Sequence, residues 1–279
     1  MAKRTRFEDY RDRYACARLE KSDEQILLVT LHTDDGEFVW DMAAHDDVAA
    51  LFSDIAGDRD LTAVILTGSG VNFMDHFGAA EPGRELPVHQ DLGAERLDDV
   101  GWTGTQLFLN LLDVQVPMIA AVHGACTVHA ELPVMCDLVL ASDDACFQDS
   151  VHFARGVVPG DGSQIVWPMV LGRNRGRYFL LTGQKLTAQE AMAYGAVNEV
   201  VPRDGLLARA WELARELALR PPLTLRLTRS VLVQELRRAA ADDLALGVYE
   251  ELYAMRNFLS WRRGNEPLDR PWDQEPWSD

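Results

Sequence analysis

The chain has 279 residues, 47% of them apolar, enough for one good-sized domain or a domain with a helical appendage. Its 27 basic and 44 acidic residues leave a formal charge of -17, which argues against nucleic acid or an anionic membrane as partner and leaves a small neutral substrate open. Four scattered cysteines, Cys16, Cys126, Cys136 and Cys146, lack CxxC spacing and read as structural thiols of a reducing cytosol rather than a disulfide frame or a zinc site. The opening MAKRTRFEDYRDRY carries charge but no apolar centre, unlike a signal peptide, and no apolar run is long enough to cross a bilayer. The expected location is therefore the cytoplasm.

In chain order, residues 1–19 predict an extended arm or a short helix. Gln25 to Leu31 (QILLVTL) is rich in β-formers and predicts a strand, followed by a turn-containing stretch from His32 to Trp40. Val48, Leu51, Phe52 and Ile55 recur at helical spacing and predict a helix over 41–55. AVILT at 63–67 predicts a buried strand ending in the loop signal GSG. Residues 71–100 show no periodicity and read as a binding loop or lid. A helix is predicted over 102–112, then strands at 118–122 (MIAAV) and 137–141 (DLVLA) and a helix from Ile165 to Leu171. Leu206 to Leu219 predicts an amphipathic helix ended by Pro221 and Pro222, and 224–261 a longer helix with Gly247 as the place for a break. Residues 264–279 are acidic with three prolines and two tryptophans. Strands separated by helices imply an α/β fold with a largely parallel sheet, built either from βαβ crossovers or as a spiral.

The stretch from Phe147 to Gly162, FQDSVHFARGVVPGDG, carries the chemistry. Glycines at 156, 160 and 162 and a proline at 159 set turns rather than regular structure. A loop folding back there can join His152 to Asp161, nine residues on. An imidazole beside a carboxylate makes a general base near neutral pH. Ser150 and Ser163 flank the loop without a GxSxG elbow, and neither GSG at 68–70 nor GDG at 160–162 has the lysine or spacing of a phosphate loop. Asp75 and His76 find nothing nearby in sequence to complete a ligand set, so no metal site is predicted.

The run LGRNRGRYFLLTGQKLTAQEAMAYGAVNEVVP at 171–202 resembles the crotonase (enoyl-CoA hydratase/isomerase) superfamily, as does the order AVILTGSG, VPMIAAVHG, CDLVLASDDACFQD, GVVPGDG. The resemblance spans roughly residues 25–259. It implies a crotonase-like spiral of ββα turns over 1–205, a C-terminal helical trimerisation region over 206–263 and a tail over 264–279, assembled as a homotrimer or a dimer of trimers. The departures are informative. Of the two hydratase glutamates the first matches Glu131, but the second falls at Val151 or His152. The glycine run of the oxyanion hole is replaced by Thr127, Val128 and His129, and the other oxyanion segment reads FMDHFGAA.

VW at 39–40, AHD at 44–46, VHAELPVM at 128–135, FQD..H at 147–152 and IVWP at 165–168 resemble the β-diketone hydrolases, the group of 6-oxocamphor hydrolase. This branch acts without CoA. The resemblance implies a cofactor-independent enzyme cleaving a carbon–carbon bond of a cyclic 1,3-diketone. His152 would activate water, oriented by Asp161, which could also shuttle a proton to the carbon left behind. His129 would donate to the developing oxyanion. Trp40 would donate its indole N–H to a substrate carbonyl and His45 line the pocket. Glu251, with Glu250 as the alternative assignment, would be a pocket carboxylate tuning a nearby histidine. Glu131 reads as structural, or as a helix N-terminal carboxylate. The rival expectation is a CoA-thioester hydratase, hydrolase or isomerase of the same superfamily.

Overall fold

In the computed structural model, residues 4–78 and 93–264 are described, with side chains through Arg256. Residues 79–92 of the predicted binding loop and residues 265–279 of the predicted tail lie outside the described residues.

A six-stranded sheet runs Ala17–Lys21, Ile26–Leu31, Ala63–Gly68, Met118–Val122, Leu138–Ser142 and Glu199–Val201 in spatial order. The first pair is antiparallel and the rest are parallel. Every residue of Ile26–Leu31, Ala63–Gly68 and Met118–Val122 is buried, as expected of parallel strands covered on both faces. Their alternate side chains serve two cores. One set, including Ile26, Ile65 and Ile119, packs on the helix Leu206–Ala218 through Leu206, Ala210 and Ala214. The opposite set, including Leu27, Val29, Val64 and Leu66, faces the main core.

Short strands form two further layers. Ala125–Cys126 pairs parallel with Cys146–Phe147, which pairs antiparallel with Leu186–Thr187. Val39–Trp40 pairs parallel with His76–Phe77. Of the two arrangements left open by the sequence, the chain adopts the spiral: successive turns each give a long strand to the large sheet and a short one to a side layer.

Three local expectations are corrected. The helix expected over 102–112 runs Ala94–Asp113. Gly101 and Gly104 weaken its signal, yet Gly101 is a site of close packing against Leu252 and Gly104 lies in ordinary contact with His45. The stretch at 32–40 is not all turn, since Val39–Trp40 is a strand. Gly247 does not break the C-terminal helix; the interruption is at Val233, between Pro222–Leu232 and Gln234–Gly264. A Cβ on Gly247 would lie 2.5 Å from the Gly160 carbonyl oxygen, so this glycine permits the helix to rest on the loop that carries Asp161.

Arg229 fastens the helix Pro222–Leu232 to the rest. It is 1% exposed, its Nε donates to Asp137 Oδ2 at 2.7 Å, and its terminal nitrogens donate to the carbonyls of Leu111, Leu112 and Val114. Those carbonyls end the helix Ala94–Asp113 or follow it, where backbone acceptors lack intrahelical partners.

Candidate active site

The six residues singled out by sequence, Trp40, His45, His129, His152, Asp161 and Glu251, all line one pocket. Its remaining wall is mostly apolar, with Met42, Val100, Leu107, Val157 and Leu252 among its lining.

Trp40 and His45 arrive together because Asp41 caps a helix between them. Asp41 Oδ1 accepts from the Ala44 N–H at 2.9 Å, which starts Met42–Gly57 right after the strand holding Trp40. His45 then sits in the first turn, edge-on to the Trp40 ring at 6.3 Å. The Trp40 indole is fully buried, and its Nε1 has no hydrogen-bond partner among the described residues. A buried indole donor without an acceptor costs free energy, so a pocket-lining Trp40 is poised for a ligand oxygen.

His129 has φ of 44°, a left-handed conformation unusual for a residue with a side chain. That fits a position where the family resemblance expects glycine. Its ring stacks on Trp40 with centroids 4.1 Å apart. Its Nδ1 faces two carboxylates, Glu131 Oε1 and Asp161 Oδ2, each at 2.9 Å. Burial alone would lower the His129 pKa, but the Glu131 and Asp161 charges outweigh it and raise the pKa to about 10. The ring is therefore an imidazolium at neutral pH, with Nε2–H left to donate.

Glu131 is thus more than a structural carboxylate. It holds His129 through Oε1 while Oε2 accepts from Ser163 Oγ at 3.1 Å. The Ser150 hydroxyl is likewise engaged, donating to the Thr127 carbonyl at 2.8 Å. Asp75 and His76 bond elsewhere, to Thr127 and Glu37.

His152 is 2% exposed and does meet Asp161, but not as expected. The residue that orients its ring is Asp149, whose Oδ1 lies 2.8 Å from His152 Nδ1 and accepts from the His152 backbone N–H at 3.3 Å. Asp161 Oδ2 stands on the other side, 3.3 Å from Nε2, and Glu251 Oε1 is 3.8 Å from the same nitrogen. Asp149 was missed by sequence reasoning although it lay in the quoted FQD..H motif; its i, i+3 spacing to His152 was the available signal.

Glu251 comes from the C-terminal helix, brought in by the contact of Gly247 with Gly160, and is the assignment borne by the pocket rather than Glu250. Burial and then the Asp161 charge raise its pKa to about 8, against the pull of His152 and His129. Asp161 goes the other way: burial opposes ionisation, but the two imidazoles hold its carboxyl well below the usual range. Burial lowers the His152 pKa, while Asp149 and Asp161 raise it further, well above the ordinary histidine value. At neutral pH the pocket therefore holds two imidazolium rings around the Asp161 carboxylate and a neutral Glu251.

Two overlapping donor sets, His129–Glu131–Asp161 and His152–Asp161–Glu251, have ligand atoms within 4.8 Å of one another. Each histidine nitrogen in them faces a carboxylate, so hydrogen bonding and ion pairing account for the arrangement. Among the described residues, no helix is long and apolar enough to cross a membrane.

A β-diketone hydrolase from the cyanobacterium Anabaena, solved bound to (S)-3-oxocyclohexyl acetic acid, is 38% identical, covers 91% of this chain and 97% of its own, and superposes with a TM-score of 0.84. A probable enoyl-CoA hydratase structure from Mycobacterium smegmatis is 28% identical with a TM-score of 0.73, covering 88% of this chain and 97% of its own. In sequence, the 2,3-dehydroadipyl-CoA hydratase of Escherichia coli is 29% identical over 223 residues, 80% of this chain and 84% of that protein. The family model for enoyl-CoA hydratase/isomerase matches residues 21–256. The chain belongs to the enoyl-CoA hydratase/isomerase family, within the crotonase superfamily.

Proposed function

We propose that the protein is a hydrolase that cleaves a carbon–carbon bond of a cyclic 1,3-diketone by a retro-Claisen reaction, giving a keto acid. The observation that carries this reading is the histidine pair: two imidazoles lining one pocket where a hydratase would present a second glutamate and an oxyanion glycine. The likeness to the Anabaena β-diketone hydrolase supports it.

In the productive state, His152 keeps a proton on Nδ1, held by Asp149, and offers Nε2 to a water. Water attacks one carbonyl as Nε2 takes its proton, and the new imidazolium is stabilised by Asp149 and Asp161 at 2.8 and 3.3 Å. The oxyanion receives hydrogen bonds from the Nε2–H of His129 and the free indole N–H of Trp40; such donors contribute about 3 kcal/mol each. His45 borders the same end of the pocket. The tetrahedral intermediate collapses by breaking the bond to the carbon between the carbonyls. That carbon leaves as the enolate of the second ketone, which is then protonated. The substrate supplies its own electron sink, so the bond can break without a metal or organic cofactor.

The productive state has one proton fewer on His152 and Glu251 together than the resting site. That proton leaves the pair, as a pair, near the Glu251 value of about 8.

A CoA-thioester hydratase is the second reading, favoured by Glu131 at the first hydratase glutamate and by the enoyl-CoA hydratases among the sequence relatives. The test is to follow the ultraviolet enolate absorbance of mono- and bicyclic 1,3-diketones, with calorimetric titration of acyl-CoA thioesters in parallel. Diketone loss without acyl-CoA binding supports the first reading; tight acyl-CoA binding with inert diketones reverses it.

For assembly we propose a homotrimer or dimer of trimers. Leu223, Leu227 and Val231 stand four residues apart on one side of Pro222–Leu232, 58%, 58% and 70% exposed, an apolar stripe suited to another copy. Light scattering after size exclusion reads the outcome directly, and a monomer would remove it. No disulfide joins the described cysteines, which suits the cytoplasmic setting proposed for the enzyme.

A further inference from the structure

We propose that Glu251 is the acid that delivers a proton to the enolate carbon, closing the cycle that His152 opens; this rests on the diketone reading above. Three carboxylates besides Asp149 approach the two histidines, and only one can play this part. Asp161 lies between His129 Nδ1 and His152 Nε2, at 2.9 and 3.3 Å, where its charge pairs with the His129 imidazolium and stabilises the one that forms on His152. Glu131 has both oxygens engaged, by His129 and by Ser163, and does not line the pocket. Glu251 lines it, is 8% exposed, and has an Oε2 with no hydrogen-bond partner among the described residues.

Glu251 shares the pocket lining with Val248, Leu252, Val100 and Met255, side chains that solvate a charge poorly. Burial and the Asp161 charge favour its protonated form up to about pH 8. A neutral acid lining the same pocket as the oxyanion donors is what a carbanion needs as it forms.

The proton and electron count closes. Water loses a proton to His152 Nε2, and its oxygen forms the bond to the carbonyl carbon, whose π pair moves to oxygen. That pair returns, the C–C bond breaks, and its electrons enter the enolate. The enolate carbon takes the Glu251 proton. The carboxylate left behind recovers a proton from His152 Nε2, 3.8 Å away, restoring both groups. One water is consumed, the enzyme returns to its starting protonation state, and the keto acid gives up its carboxyl proton to solvent on release. Because Glu251 stands on one wall, the carbon is protonated from one face.

The test is turnover of a bicyclic 1,3-diketone in D2O, with NMR assignment of deuterium at the α-carbon of the product ketone. Wild type is expected to place deuterium at one of the two α-positions. Glu251→Gln, which keeps the shape and neutrality of the acid, is expected to lower kcat more than tenfold and to scatter deuterium over both positions as water protonates from either side. Glu251→Asp is a second variant, expected to slow turnover while keeping most of the facial selectivity. The proposal is overturned by Glu251→Gln that retains wild-type rate and single-face labelling, or by wild type that labels both positions equally. If wild type turns over no cyclic 1,3-diketone, it is the underlying reading that fails, which the same experiment reports before any variant is compared.

Discussion

Asp149→Asn offers a sharp test of the histidine base, because it changes one charge and almost no volume. Asp149 and His152 are 3% exposed at their side chains and 2.8 Å apart at the bonded atoms. With charge centres about 4 Å apart and an effective dielectric near 20, the pair is worth about 4 kcal/mol. The substituted amide can also turn its NH2 toward Nδ1, which would force the imidazole proton onto Nε2 and remove the base. If the imidazolium formed on water attack loses about 4 kcal/mol, kcat falls roughly 10³-fold. KM should change little, since Asp149 does not line the pocket. The His152 pKa should drop, because Asp149 is the larger of the two charges raising it. Stopped-flow loss of enolate absorbance across pH 6 to 10 gives kcat, KM and the profile together, with circular dichroism as the fold control. A folded variant with kcat within about fivefold of wild type would refute the assignment, since tautomer control by a buried carboxylate is worth far more than that.

Further outcomes follow from the same structure. For wild type, kcat/KM should rise with pH through an apparent value of about 8, where the His152–Glu251 pair gives up its first proton; a profile already flat from pH 6 would contradict this. Stability should fall over the same range. His129 and Glu251 hold protons more tightly folded than unfolded, so the stability they contribute is complete below their unfolded values and is lost as pH climbs through about 8 for Glu251 and about 10 for His129. Thermal melts should therefore decline from pH 7 to 10, and a rising melting temperature would argue against it. Arg229→Ala leaves Asp137 and three carbonyls short of a buried partner. It should cost about 3–5 kcal/mol and lower Tm by roughly 10 °C in calorimetry; a loss under about 1 kcal/mol would show the clamp to be dispensable. Gly247→Ala sets a methyl 2.5 Å from the Gly160 carbonyl oxygen. It should lower kcat by displacing Glu251 while the sheet still folds, and unchanged kcat would show that the loop and helix adjust freely.

Much of the fold was legible because the long strands are continuous apolar runs bounded by turn signals, and these survive as Ile26–Leu31, Ala63–Gly68 and Met118–Val122. The two-residue strands were not, since Val39–Trp40 and His76–Phe77 carry no period and exist only through each other. Glycine misled in both directions. Gly101 hid the first turns of a helix, and Gly247 looked like a break where it is a contact. In the site, the six pocket residues came from pattern and resemblance, but their wiring did not. Sequence spacing in a bent loop does not say which ring nitrogen meets which carboxylate: Asp149 bonds His152 Nδ1, and Asp161 stands at Nε2. Glu131 stands in the first turn of Glu131–Val134, and sequence gives no sign that the histidine two residues before it is its partner.

The measurement that bears most directly on the central claim is turnover of a bicyclic 1,3-diketone in H2(18)O by wild type and by His152→Ala. The account predicts one labelled oxygen in the new carboxylate of the wild-type product and no turnover above background for the variant. A folded His152→Ala that cleaves the diketone at the wild-type rate, or a product carboxylate without the label, would contradict it.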